Sequence, residues 1–171
     1  NISWVLRTDN DIFSKTSATS VKKYYAGISR GIGIVKDIGD NKTGLIEYWN
    51  QHSQENEWPK DAEIPEDAKK LNEYIRTNIK DLGIFLSAVD LENDLASSEL
   101  KDMLMNHYGK RNHDDLVNAM QKKKAENMME FLTKNHKKLS CLEESQIVEP
   151  LTSLIRITTE RTRPDNGERT N

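Results

Sequence analysis

Apolar residues along this chain come in short bursts separated by polar stretches, and each burst predicts an element. Ile2-Ser3-Trp4-Val5-Leu6-Arg7-Thr8 is β-branched and aromatic and stops at Asp9-Asn10-Asp11, the pattern of a strand running into a polar loop. Ser14 to Ser20 is rich in Ser and Thr and predicts an exposed loop. From Val21 to about Ile38, residues Tyr24, Tyr25, Ile28, Ile32 and Val35 recur at helical spacing, with Gly27, Gly31 and Gly33 weakening the helix or breaking it in two. Residues 39 to 64 are polar, with isolated Trp49 and Trp58, and read as a loop or insertion.

The second half is more regular. Pro65-Glu66-Asp67 opens a helix: proline suits the first turn and the acids suit the positive end of the dipole. Its stripe is Ala68, Leu71, Ile75, Ile79 and Leu82, and Gly83 ends it. Ile84 to Val89 is a second buried-type strand that also stops on an acid, Asp90. Helical spacing resumes through Leu91, Leu95, Leu100, Met103 and Leu104 to Gly109. A long helix is predicted from about Asp114 to Thr133, and a last one over 147–157 on the stripe Ile147, Leu151, Leu154, Ile155. Two apolar strands separated by helices predict an α/β class with a parallel sheet flanked by helices and a helical C-terminal part. One domain is expected over 1–158, with a flexible tail over 159–171.

Composition trims the possibilities. The 171 residues suffice for one core, although only 35% are apolar and 31% are charged. No run of 18 apolar residues occurs and no charged-then-apolar leader opens the chain, so a cytoplasmic protein without a membrane partner is expected. The lone Cys141 excludes a disulfide framework and a cysteine-rich zinc site. The four histidines lack metal spacing. A net charge of −3 argues against a wholly basic nucleic-acid coat but leaves room for a local basic patch. The chain opens on Asn1, not methionine, and is apolar by Ile2, which reads as a piece of something longer.

Three groups could carry chemistry. Asp9 and Asp11 flank Asn10 where the first strand ends, the edge at which open α/β sheets bind ligands. Two carboxylates so spaced can share a divalent cation, Mg²⁺ or Mn²⁺ by ligand hardness, or can simply shape a polar turn. Asp90, Glu92 and Asp94 follow the second strand. Asp90 and Asp94 would share a helical face, and all three could instead be acids placed by a helix dipole. Two acid clusters at two parallel strand ends could meet over one edge and hold a metal pair roughly 3.5–4 Å apart, as phosphodiester hydrolysis uses. On the helix from about Asp114, Lys124 falls near the middle of the apolar stripe Leu116, Met120, Met128, Phe131. It could meet a carboxylate cluster or a phosphate, or snorkel at a helix end or kink.

In chain order stand Val5-Leu6-Arg7-Thr8-Asp9-Asn10-Asp11, then Tyr25-Ala26-Gly27-Ile28-Ser29-Arg30. Ile84-Phe85-Leu86-Ser87 follows, running into Asp90-Leu91-Glu92-Asn93-Asp94-Leu95, and then Gln121-Lys122-Lys123-Lys124 with Asn127-Met128. This order, over about residues 3 to 132, resembles the Toprim nuclease half of the OLD-family (overcoming lysogenization defect) ATP-dependent endonucleases, among them nucleases of Gabija-type anti-phage systems. The resemblance implies a Toprim-like Rossmannoid sheet and metal-dependent DNA cleavage in anti-phage defence. It implies Asp9, Asp11 and Asp90 as metal ligands with Glu92 or Asp94 assisting, and Lys124 as the catalytic lysine that stabilises the phosphate in the transition state. It implies Mg²⁺ or Mn²⁺, with Ca²⁺ a possible occupant in crystals. The partners implied are DNA, an ATPase domain of the same parent chain, further copies, and a helicase-like subunit. The pattern also calls for a glutamate on a strand before Asp9, which these residues do not contain, so the isolated segment is expected to be inactive. The rival expectation is a non-catalytic α/β interaction or DNA-binding module whose acids are structural.

Overall fold

The computed structural model describes residues 4–17, 19–39, 44–122, 124–143 and 145–162. In chain order its elements are β1 (Leu6–Thr8), β2 (Ile12–Thr16), β3 (Val21–Tyr25), α1 (Ala26–Asp37), α2 (Leu45–His52), β4 (Trp58–Pro59) and α3 (Glu66–Ile79). There follow β5 (Ile84–Leu86), α4 (Leu91–Ala96), α5 (Lys101–Tyr108), α6 (His113–Gln121), α7 (Lys124–Asn135) and α8 (Glu149–Thr162). Short 3₁₀ turns lie at 53–56, 80–82 and 136–142. Among the described residues the fold is therefore mixed α/β, with eight helices, a small parallel sheet and an antiparallel sheet.

β1 and β5 pair in parallel, with Leu6 opposite Ile84 and Thr8 opposite Leu86. This is the parallel pair expected from the two apolar bursts, each shorter than its burst; Asn1 to Ser3 lie outside the described residues. All three residues of β5 are buried.

The Ser/Thr-rich stretch is not a loop. β2 and β3 form an antiparallel hairpin, with Phe13 opposite Tyr24 and Lys15 opposite Lys22, and β4 adds to β3. The serines close its turn: Ser17 N–H donates to Ser20 O at 2.8 Å and Ser20 N–H donates to Ser17 Oγ at 3.2 Å. The helix expected from Val21 thus starts five residues later. Tyr24 and Tyr25 match helical spacing, but the two-residue period of a pleated strand places them: Tyr25 is buried in the core and Tyr24, paired with exposed Phe13, lies on the other side.

The glycines do not break α1. Gly27 and Gly31 are buried contact points, where a Cβ would lie 2.5 Å from Asp9 O and 2.7 Å from Ile79 Cδ1 respectively. Nor is 39–64 a polar insertion outside the core. Leu45 and Trp58 are fully buried, and the Trp58 ring lies 5.3 Å from Tyr25. Leu45, Ile46, Tyr48 and Trp49 do follow helical spacing, but over one eight-residue helix, and Trp58 stands alone among polar residues. Residues 40–43 lie outside the described part.

α3 matches its expectation. Ala68, Leu71, Ile75 and Ile79 are buried, and Gly83 at φ 76° turns the chain into β5. One core cluster joins α1, α2, α3, β5 and Trp58. A second joins α4 to α7 around Leu104, Leu116, Met120 and Phe131. Two expected helices are each split. The 91–109 stretch breaks at Ser97 to Leu100, where Ser98 Oγ caps Leu100 N–H at 3.1 Å. The 114–133 stretch breaks after Gln121, with Lys122 extended (φ −84°, ψ 127°). α8 begins near the expected place, but Leu151 and Ile155 of its stripe are more than half exposed. Of the expected tail, 159–162 continues α8 and 163–171 lies outside the described residues. Among the described residues no helix is long and apolar enough to cross a membrane.

Candidate functional site

The two acid clusters meet at the carboxyl ends of β1 and β5. Asp9 follows β1 directly, and its Oδ1 accepts the N–H of Leu91 at 3.1 Å, the residue after Asp90. Beside it, Asn10 N–H donates to Val89 O at 2.6 Å. The parallel register makes this contact: Ser87 N–H continues the ladder onto Thr8 O at 3.0 Å, so both loops leave the sheet side by side.

Asp90 is 7% exposed and caps α4. Its Oδ1 accepts the Asn93 N–H at 2.7 Å and the Asn93 amide at 2.8 Å. Its Oδ2 accepts the Gln121 side-chain amide at 3.0 Å. That bond brings the end of α6 to the acid edge.

The loop between the acids is held from behind. Asn10 is fully buried; its Oδ1 accepts the Ile28 N–H at 3.1 Å and its amide donates to Asn72 Oδ1 at 2.7 Å. Asn72 also bonds Tyr25, whose phenol pKa is raised above its ordinary value chiefly by burial, against the opposing effects of Arg76 and Asn72. Gly27 sits flat against Asp9 and Asn10, and Arg30 donates to the Asp9 carbonyl at 2.6 Å. The first turn of α1 is thus built onto the acid loop. Asp11 O accepts the Ala26 N–H at 2.9 Å, which fixes where the hairpin leaves and returns.

Asp94 and Glu92 make other contacts. Asp94 pairs with Arg7 Nη2 at 2.5 Å and accepts the Ala88 N–H at 3.0 Å, so it braces β1 against α4. Arg7 also donates to Ile147 O at 3.1 Å. Glu92 is buried on α4, and its charge helps raise the Tyr108 phenol pKa, after burial itself and Glu130. Lys124 is the first residue of α7; its side chain lies outside the described part. The expectation that it sits inside one continuous apolar stripe is corrected by the break at Lys122, which puts Leu116 and Met120 on one helix and Met128 and Phe131 on another.

Asp9 and Asp90 offer hard oxygen donors at one edge. Among the described residues, no group of three or more His, Cys, Asp or Glu side chains is placed to hold a metal ion. Asn10, Asn72, Arg30 and Gln121 were not singled out as site residues. Asn10, Arg30 and Gln121 lie within the quoted motifs, whereas nothing local marks Asn72, whose role arises only when α3 packs behind the loop. No family model, curated protein or solved structure matches this chain.

Proposed function

We propose that this chain is the Toprim-type nuclease portion of an OLD-family endonuclease, cutting DNA with divalent metal ions at the edge formed by Asp9 and Asp90. The observation that carries the reading is the hydrogen bond from Leu91 N–H to Asp9 Oδ1, because it joins two acid clusters 82 residues apart at the ends of parallel strands. Asp9 and Asp90 are the residues that would hold a metal; the resemblance adds Asp11 and a further carboxylate on a preceding strand. A bound cation supplies water activation and leaving-group stabilisation. Gln121, bonded to Asp90, ties the end of α6 to this edge, and the resemblance assigns Lys124 to the phosphate.

The test is cleavage of supercoiled plasmid by the protein that carries this segment, in Mg²⁺ or Mn²⁺. Asp9→Ala, Asp90→Ala and Lys124→Ala are each expected to reduce nicking by about a hundredfold or more. Undiminished cutting by Asp9→Ala overturns the assignment.

One observation favours the non-catalytic reading instead: both oxygens of Asp90 already have protein donors, as in a purely structural helix cap. On that reading the same assay shows no metal-dependent nicking with any preparation.

A further inference from the structure

The antiparallel sheet has two unlike faces. Tyr25 and Trp58 face the core. On the opposite face, register sets Phe13 beside Tyr24 and Lys15 beside Lys22. Phe13 is 47% exposed and meets Tyr24 edge-on, ring centres 6.5 Å apart. Of the three strand lysines, Lys15 and Lys22 stand on this face, whereas Lys23 shares the other face with its partner Trp58. This face forms one wall of a cleft of about 770 Å³. Tyr24 and Trp49 line it, Ser29, Gln54 and Asn56 add polar groups, and Lys15 and Lys22 stand at it. Both lysines are held by Glu57, at 3.4 and 3.0 Å. β2 begins one residue after Asp11, so the cleft face grows directly out of the acid edge.

An exposed ring, Phe13, and a half-buried one, Tyr24, interleaved with lysines on a single strand pair match the needs of unpaired nucleic acid. Bases stack on rings whatever their sequence, and ammonium groups follow the backbone. A duplex keeps its bases stacked inside and cannot use the rings. A protein strand adding to β2 would use the backbone edge and has no need of the Lys15–Lys22 pair. We infer that the outer face of the β2–β3–β4 sheet, with its cleft, binds single-stranded nucleic acid through Phe13, Tyr24 and Trp49 as stacking surfaces and Lys15 and Lys22 as phosphate contacts. The inference deepens the nuclease reading, and rests on it for the view that the strand continues to Asp9 and Asp90. Glu57 competes with the phosphates for the two lysines.

The experiment is fluorescence anisotropy of a labelled oligothymidylate of about twelve nucleotides with the 171-residue chain, in EDTA so that no metal-dependent step contributes. Saturable binding is expected, weaker for a duplex of equal length and falling with salt. Phe13→Ala weakens it about tenfold without changing the salt slope. Lys15→Ala and Lys22→Ala each lower the slope by about 0.7. Glu57→Gln tightens binding, a result that a purely structural Glu57 would not give. These positions are exposed or half-exposed, and circular dichroism checks that each variant folds. Absence of binding, equal affinity for duplex, or affinity untouched by these variants overturns the inference. So does self-association through β2, abolished by Phe13→Lys, in a protein that binds no oligonucleotide. Loss of nuclease activity in Asp9→Ala bears on the metal site alone, so failure of one reading is distinguishable from failure of the other.

Discussion

At the scale of single residues, the acid loop depends on what stands behind it. Gly27 is in α1, yet its role is to admit the loop. An added Cβ would come within 2.6 Å of Asn10 Cα, a backbone clash that no side-chain rotation relieves. Gly27→Ala is therefore expected to destabilise by about 1–3 kcal/mol. Gly33 in the same helix has nothing within 4 Å of a Cβ, so Gly33→Ala should stabilise by up to about 1 kcal/mol. Urea unfolding of the two variants checks both signs. Asn72→Ala leaves the buried Asn10 amide without its acceptor and should cost about 1–3 kcal/mol. The sequence displayed Asp9, Asp11 and Asp90 openly, because acids at strand ends need no tertiary knowledge to notice. It could not display Asn72, whose partner is 62 positions away.

At the scale of elements, α3, β1 and β5 were legible because each is bounded by a residue with a physical stop signal: Pro65 and Gly83 for α3, an acidic loop for β1. The hairpin was not. Its strands carry serine, threonine and lysine on a largely exposed surface, so alternation of apolar and polar residues is weak in β2. What holds the three strands together at their open face includes Glu57 between Lys15 and Lys22. The Lys22 hydrogen bond, foremost, lowers the Glu57 carboxyl below its ordinary value of 4.5, against the opposing effect of burial. A lowered folded pKa contributes stability that is present above the unfolded value and is lost as pH falls through the folded value. Protection factors of β2 and β3 amides, which correct for the intrinsic pH dependence of exchange, should thus fall on acidification below about pH 4.5, the ordinary value for this group. Glu57→Gln should remove that part of the pH dependence; identical profiles for the two proteins would contradict the role. The half-exposed lysines make the effect small.

At the scale of the molecule, two apolar clusters meet through polar ties: Arg7 to Asp94 and Asp90 to Gln121. The helical cluster is thereby fastened to the sheet at the acid edge, so the acids serve the architecture whatever else they do. Asp94→Ala leaves Arg7, only 23% exposed in its side chain, without its carboxylate. It should lower stability by more than the roughly 1 kcal/mol ceiling of an exposed pair, as thermal unfolding would register.

The central claim is that Asp9 and Asp90 share a divalent cation. Amide NMR of the chain titrated with Mn²⁺ tests it most directly, since a paramagnetic ion erases the signals of residues around it. Selective loss is predicted at residues 9–11 and 89–93, reduced by Asp90→Asn, in which asparagine keeps the helix cap while removing the charge. Signals there that fade no faster than those around the exposed surface acids Glu66 and Asp67 would contradict the claim.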